Sequence, residues 1–281
     1  MSQLTIQTKF HTIEGREWGN PQGKPILAVH GWLDNANSFL PLSEYLADFR
    51  LIAIDLPGHG KSSHKSENSL YYFSEYVLEI VSIANILKLD DFILIGHSMG
   101  AAVSTLAAGT GLLNISKLVL IEAIGPLSNL SDEAPDVIAA AIKQVLHPRG
   151  KKETYFPNWE SAVGVRMRTG DISKNSVEIL MERGLEKTTK GLKPRRDLKL
   201  HFNSFFRYTE EQIISFCKRI TVPTLLILGN NSGYPIVNNF KSRKQAVKEL
   251  KEIVLDGGHH LHMDSPEIVA KNILEFLNLG E

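Results

Sequence analysis

The sequence predicts an α/β fold: a mostly parallel sheet covered by helices on both faces and interrupted by a long helical insertion. Three observations carry this. Near-continuous apolar runs of strand length at 25–29, 50–54, 92–95 and 118–121 alternate with amphipathic stretches, the pattern of strands buried on both faces. The run Phe92-Ile93-Leu94-Ile95 leads straight into Gly96-His97-Ser98-Met99-Gly100 and then into a small-residue segment fit for a helix. Residues 127–216 hold no convincing buried-strand run, but the pattern resumes at Pro223-Thr224-Leu225-Leu226-Ile227-Leu228-Gly229.

Taken in order, 4–10 alternates apolar and polar residues and 13–18 supplies a hairpin partner, so the chain opens on antiparallel edge strands. The strand at 25–29 stops at His30-Gly31, and 39–46 reads as a short amphipathic helix. The strand at 50–54 ends in the turn-rich Asp55-Leu56-Pro57-Gly58-His59-Gly60. Residues 72–87 place Phe73, Tyr76, Val77, Ile80, Ile83, Ala84 and Leu87 on one helical stripe. A helix over 101–113 and the strand at 118–121 follow. Helices are predicted at 137–146, 159–167, 176–183 and 210–218, with regular apolar content that argues against disorder. Strands at 225–228 and 252–255 bring the sheet to eight, and a helix at 266–279 closes the chain behind the N-cap Ser265 and Pro266. The division is therefore a core in two parts, 1–126 and 217–281, around a helical lid, 127–216.

With 281 residues the chain can bury a large core. Lys+Arg and Asp+Glu both number 31, which gives no net positive field to draw the chain to nucleic acid or an anionic membrane. No basic cluster for phosphates or polyanions stands out along the sequence. The single Cys217 excludes an intramolecular disulfide and any multi-cysteine metal site. No basic-plus-apolar leader opens the chain and no apolar run is long enough to span a bilayer, so a cytoplasmic protein without stable membrane insertion is expected.

A serine at a strand-to-helix elbow is held in a strained backbone conformation that lifts its hydroxyl clear of the sheet, and the following helix N-terminus favours negative charge beside it. Ser98 is thus the candidate nucleophile, with a structural glycine-rich turn as the alternative. Its base is expected on a loop leaving a late strand. Asp256-Gly257-Gly258-His259-His260-Leu261-His262 is such a loop, and His259, directly after the glycine pair, is the first choice. His260 and His262 are then surrounding residues. A zinc site from the three histidines is the competing idea, but no H-x-x-x-H helix or carboxylate pattern supports it, and neither metal nor cofactor is expected. Nicotinamide binding lacks its glycine fingerprint.

These motifs make the chain resemble the α/β-hydrolase-fold serine hydrolases over essentially its whole length. The likeness rests on His30-Gly31-Trp32, Asp55-Leu56-Pro57-Gly58-His59-Gly60-Lys61-Ser62, Gly96-His97-Ser98-Met99-Gly100, and Gly258-His259 followed by Asp264-Ser265-Pro266-Glu267. Within that superfamily it is most similar to the serine hydrolase-like proteins, through His30-Gly31-Trp32-Leu33-Asp34-Asn35-Ala36 and the segments Pro194-Arg195-Arg196-Asp197 and Arg207-Tyr208-Thr209-Glu210-Glu211-Gln212. The resemblance implies carboxylic ester hydrolysis, His259 as catalytic histidine and His262 in the substrate-pocket wall.

The sequence departs from the family at the acid. Most members carry an Asp just beyond the strand at 225–228, where this chain reads Gly229-Asn230-Asn231-Ser232-Gly233-Tyr234 and places Ser232 at the expected position. Glu122, ending the strand that follows the nucleophile helix, offers a second origin, because some related hydrolases draw their acid from that strand end. Its alternative role is a carboxylate in an ion pair at the sheet rim. The oxyanion hole is expected from the backbone N–H groups of Met99 and Trp32. His30 and His97 read as packing and hydrogen-bonding residues, Asp55 as the pin of its own loop, and Asp34 as a loop anchor or an ordinary turn residue. Phe156, Trp159, Phe202, Phe205 and Phe206 suggest an apolar access route or the core of the lid. The expected partner is a small to medium-sized apolar ester cleaved through an acyl-enzyme. Carbon–carbon, thioester, lactone or amide hydrolysis on the same machinery stays open, as does a catalytically silent binding protein, suggested by the missing Asp.

Overall fold

The computed structural model describes residues 1–148, 152–232 and 240–278. Its main sheet has eight strands: β1 (Ser2–Gln7), β2 (Thr12–Gly19), β3 (Pro25–Val29), β4 (Arg50–Ile54), β5 (Phe92–His97), β6 (Ile115–Ile121), β9 (Thr224–Gly229) and β10 (Leu250–Leu255). Two shorter strands, β7 (Leu185–Thr188) and β8 (Gly191–Pro194), pair antiparallel in a hairpin of their own. The order across the main sheet is β1-β2-β4-β3-β5-β6-β9-β10. The β1–β2 and β2–β4 pairings are antiparallel and all others are parallel.

The helices are α1 (Leu40–Ser43), α2 (Phe73–Ile86), α3 (Met99–Thr110), α4 (Ala134–Leu146), α5 (Trp159–Arg168), α6 (Lys174–Gly184), α7 (Glu210–Cys217), α8 (Phe240–Ala246), α9 (Leu261–Asp264) and α10 (Pro266–Asn278). Side chains along the parallel strands alternate between two cores, as the period of two requires. Leu27, Val29, Leu94, Leu118 and Leu120 face a core closed by Tyr76, Ile80 and Ile83 of α2, Val103 of α3 and Ile213 of α7. Ile26, Ala28, Ile95, Val119 and Ile121 face the other, closed by Leu42 of α1 and by Val269, Ile273 and Phe276 of α10.

Differences from the sequence reading are local. The stretch at 39–46 forms a 3-10 turn (Ala36–Phe39) and the single-turn α1, whose first turn carries Pro41. The β7–β8 hairpin has no counterpart in the sequence pattern because its four-residue strands carry Glu, two Lys and a Pro and stay mostly half-buried. The helix α8 is largely polar and is anchored by one buried residue, Arg243, which donates to both Glu210 oxygens and to the carbonyls of Ile124 and Pro126. Of the closing helix, Leu279 lies outside the described residues, as do Gly233 and Tyr234.

The segment between β6 and β9 forms a small third core from Val163, Ile172, Val177 and Leu180, shared with Met263 beyond β10. Polar contacts tie it to the sheet. Asn35 and Asn37 donate to the carbonyls of Leu180 and Ile179, and Tyr71 donates to Asp197 at 2.8 Å. Its deepest tie is an ion pair: Arg183 of α6 donates through Nε to Asp55 at 2.9 and 3.0 Å, both side chains fully shut from solvent. Asp55 also accepts the N–H groups of Ala36 and Lys61 at 2.7 Å, so one carboxylate holds its own loop, the 3-10 turn and α6. Removing the cation strands a buried charge. Arg183→Met is therefore expected to lower unfolding stability by about 3–5 kcal/mol, read by denaturant titration. A loss under about 1 kcal/mol would mean that water reaches Asp55.

Candidate active site

Ser98 caps α3 with φ 52° and ψ −116°, a left-handed backbone that non-glycine residues rarely adopt. The strain is imposed by close packing. A Cβ at Gly100 would lie 2.0 Å from the Val29 carbonyl oxygen, and one at Gly96 would lie 2.5 Å from that of Gly100. Only glycines let the start of α3 approach the ends of β3 and β5 this closely. The Ser98 N–H donates to the Ile121 carbonyl at 2.8 Å and the Glu122 N–H to the Ile227 carbonyl at 2.9 Å, so the ends of β5, β6 and β9 step together along one edge.

At that edge three side chains form a line. His259 Nε2 lies 2.9 Å from Ser98 Oγ, and His259 Nδ1 lies 2.9 Å from Glu122 Oε2. The carboxylate is only 2% exposed. Since it can only accept, Nδ1 carries the ring proton, which leaves Nε2 free to accept from the serine hydroxyl. Glu122 has a φ of 68°, which turns it off the end of β6 toward β9. Its Oε1 accepts the Gly229 N–H at 2.5 Å, and its Oε2 also accepts the Ser232 hydroxyl. The residue at the expected acid position is thus a donor to the carboxylate. Asp256 is turned away, with its Oδ1 accepting from Asn231 at 3.1 Å.

A second layer of imidazoles supports His259. His97 donates from Nε2 to the His259 carbonyl at 2.9 Å. Asp34 accepts from His260 at 3.2 Å and from Arg166 of α5 at 3.4 Å. It therefore links the histidine loop to the inserted segment, which its position in a turn did not reveal. His262 is fully buried, 2.7 Å from Ser38 Oγ, and does not line the cavity; His260 does. This corrects the placement of His262 that the resemblance implied: the turn into α9 carries that ring under the loop, 4.0 Å from His97. His30 accepts the Leu56 N–H at 3.0 Å. Among the described residues, no group of three or more His, Cys, Asp or Glu side chains is arranged to hold a metal, and no helix is long and apolar enough to cross a membrane.

Burial pulls the imidazoles of His30, His97 and His262 below their ordinary range and that of His59 down to about 3. In the unfolded chain these rings take up protons near pH 6.5, so between that value and their folded values the unfolded state binds more protons. Stability is then complete above about pH 6.5 and falls on acidification, by up to about 1.4 kcal/mol per pH unit per ring. Asp34, also held low, works in the same direction but only below about pH 4. We expect denaturant stability to fall steeply from pH 7 to 5 and His59→Gln to lower that slope by about one proton. A flat profile would show that the rings are solvated.

Ser98, His259, Gly31, Trp32, Met99 and His260 line a cavity of about 1010 Å³, to whose wall the segment between β6 and β9 also contributes. Trp32 is 49% exposed and its indole donates to the Leu200 carbonyl at 3.2 Å, so the ring packs on that segment. Of the five aromatics expected along the access route, Phe156, Phe202 and Phe206 line the cavity; Trp159 packs on the third core instead, and Phe205 does not line the cavity.

A largely parallel sheet, helices on both faces and a serine lifted at the β5–α3 elbow define an α/β-hydrolase-fold serine hydrolase. The chain belongs to the alpha/beta hydrolase fold family, matched over residues 24–266. It is 31% identical to serine hydrolase-like protein 2 of Homo sapiens over 99% of this chain and 94% of that one, and 30% identical to a serine hydrolase-like protein of Dictyostelium discoideum over 94% and 78%. Among solved structures it is similar to a hypothetical protein of Pseudomonas aeruginosa, PA1622 (34% identity, TM-score 0.92, 99% of both chains). It is also similar to a thioesterase domain of the curacin biosynthetic pathway (26% identity, TM-score 0.81, 98% of this chain and 99% of that one).

Proposed function

We propose that the chain is a carboxylic-ester hydrolase working through an acyl-enzyme, with Ser98 as nucleophile, His259 as base and Glu122 as its orienting acid. The observation that carries this is the unbroken line from Glu122 Oε2 through His259 to Ser98 Oγ, 2.9 Å at each step. Ser98 Oγ attacks the ester carbonyl while His259 Nε2 takes the hydroxyl proton, and Glu122 stabilises the imidazolium. The tetrahedral oxyanion collects at the N–H groups of Met99 and Trp32. Collapse expels the alcohol, which takes the proton from His259. Water, deprotonated by the same nitrogen, then attacks the acyl-enzyme and releases the acid and Ser98.

The segment 127–216 serves as the lid, between core parts 1–126 and 217–281. Apolar wall residues such as Met99, Ala102, Ala123, Leu127, Phe156 and Val165 suit the chain of a small to medium-sized ester. A panel of aryl esters graded by acyl length, run beside thioesters, amides and a carbon–carbon cleavage substrate, tests the bond class. Esters are expected to turn over fastest, with an optimum at short to medium acyl chains. Ester rates at the uncatalysed background, with another class turned over, would overturn the ester reading.

A further inference from the structure

The cavity over Ser98 carries a charge that the chain as a whole does not. Lys+Arg and Asp+Glu balance at 31 each. Yet among the described residues the cavity wall presents Arg166, Arg195, Arg196, Lys199, Arg207 and Arg243 against only Asp34 and Asp171. Most of these cations are committed. Arg166 meets Asp34, Arg243 meets Glu210 and Arg195 meets Glu186 at 3.3 Å. Lys199 donates to the carbonyls of Lys65 and Ser66 and lies 3.5 Å from Asp197. Arg207 donates to the Asn129 amide oxygen.

Arg196 is different. Among the described residues its Nε, closed off from solvent, has no hydrogen-bond partner, and no carboxylate forms an ion pair with it. Glu153, whose charge it feels, is held by Lys193 at 3.3 Å. A guanidinium in the wall of a cavity with no acceptor of its own is left to take an anion from that cavity. Its backbone is fixed by a bridge to His59, itself buried with its ring against His30 and Tyr76, which sets the residue at the cavity wall.

We propose that Arg196 receives a carboxylate carried by the substrate away from the scissile bond, so that the preferred ester has an apolar body and one anionic end. One planar guanidinium matches one carboxylate through two parallel N–H···O bonds. A phosphate dianion would draw on more than one free cation, and Arg195 and Lys199, the bases nearest to Arg196 in the chain, are already paired with carboxylates. The choice of ester as the cleaved bond rests on the function proposed above; the anion site does not.

Two series of matched length test this, one with the carboxylate in the acyl part and one with it in the alcohol part, each beside its neutral methyl-ended counterpart. In at least one series the wild-type kcat/KM is expected to favour the charged ester by about 10–100-fold, the size of a charge-assisted hydrogen bond. Arg196→Met is expected to lower that charged-to-neutral ratio at least tenfold, and Arg196→Lys to keep part of it, with thermal midpoints confirming that both variants fold. No preference in either series, or a preference that survives Arg196→Met, overturns the proposal. Should no ester turn over at all, the bond class fails separately and binding decides. Ser98→Ala protein is titrated calorimetrically with dicarboxylic half-amides, the matching neutral amides and monoalkyl phosphates. Tighter binding of the half-amides, lost in Ser98→Ala/Arg196→Met, supports the site. Equal affinities, no binding, or tighter binding of the phosphates overturns it.

Discussion

Ser98→Ala is expected to lower ester turnover by about 10⁴–10⁶-fold and to abolish covalent labelling by a fluorophosphonate, while the protein stays folded. The serine oxygen is the atom that forms and breaks the acyl bond, and in triads that act as a unit its loss costs about as much as losing all three members. The residual rate would come from the oxyanion N–H groups and from binding alone. Alanine in place of Ser98 has one atom fewer and the same backbone preference, so the elbow strain is not increased. Mass spectrometry of wild-type protein should place the adduct on Ser98 and nowhere else. A label confined to another residue, or full activity in Ser98→Ala, would move the nucleophile elsewhere.

Glu122→Gln is expected to lower kcat by about 10²–10⁴-fold, in line with loss of the orienting acid in other triads. Glutamine keeps the size of the side chain, but its amide can present an N–H donor to His259 Nδ1. That favours the tautomer whose proton sits on Nε2, where it blocks acceptance from Ser98. The amide also carries no charge to stabilise the imidazolium. Ser232→Ala removes only one of the hydrogen bonds to the same carboxylate, whose other oxygen keeps the Gly229 N–H. Its expected effect is within about tenfold. Comparing pre-steady-state acylation in the two variants separates them. Near-normal acylation in a folded Glu122→Gln protein would leave a two-residue Ser98–His259 centre.

Much of the site was legible because its signals are local in the chain. The β5–α3 elbow shows itself in eleven consecutive residues, since strand period, flanking glycines and small helix residues all answer to the same close packing. His259 is readable for a similar reason: a glycine pair directly after a late strand marks the loop that returns toward the elbow. The long parallel strands were equally plain, since burial on both faces demands unbroken apolar runs. The β7–β8 hairpin and α8 were not, because four-residue strands and a polar helix held by one buried arginine leave no periodic trace.

By itself, then, the sequence determined the doubly wound core and pointed to Ser98 and His259, which the fold brings within 2.9 Å of each other. Only the tertiary structure decided the rest. Glu122 and Ser232 stand 110 positions apart and share a hydrogen bond because β6 and β9 are neighbours in the sheet. The buried pair Arg183–Asp55 spans 128 positions, and the basic wall of the cavity gathers from several separate stretches of a chain with no net charge. Such groupings leave no period along the chain. For the buried pairs the physical cause is the cost of leaving a buried charge without a partner, and such partners meet only once the strands are ordered and the inserted segment has folded.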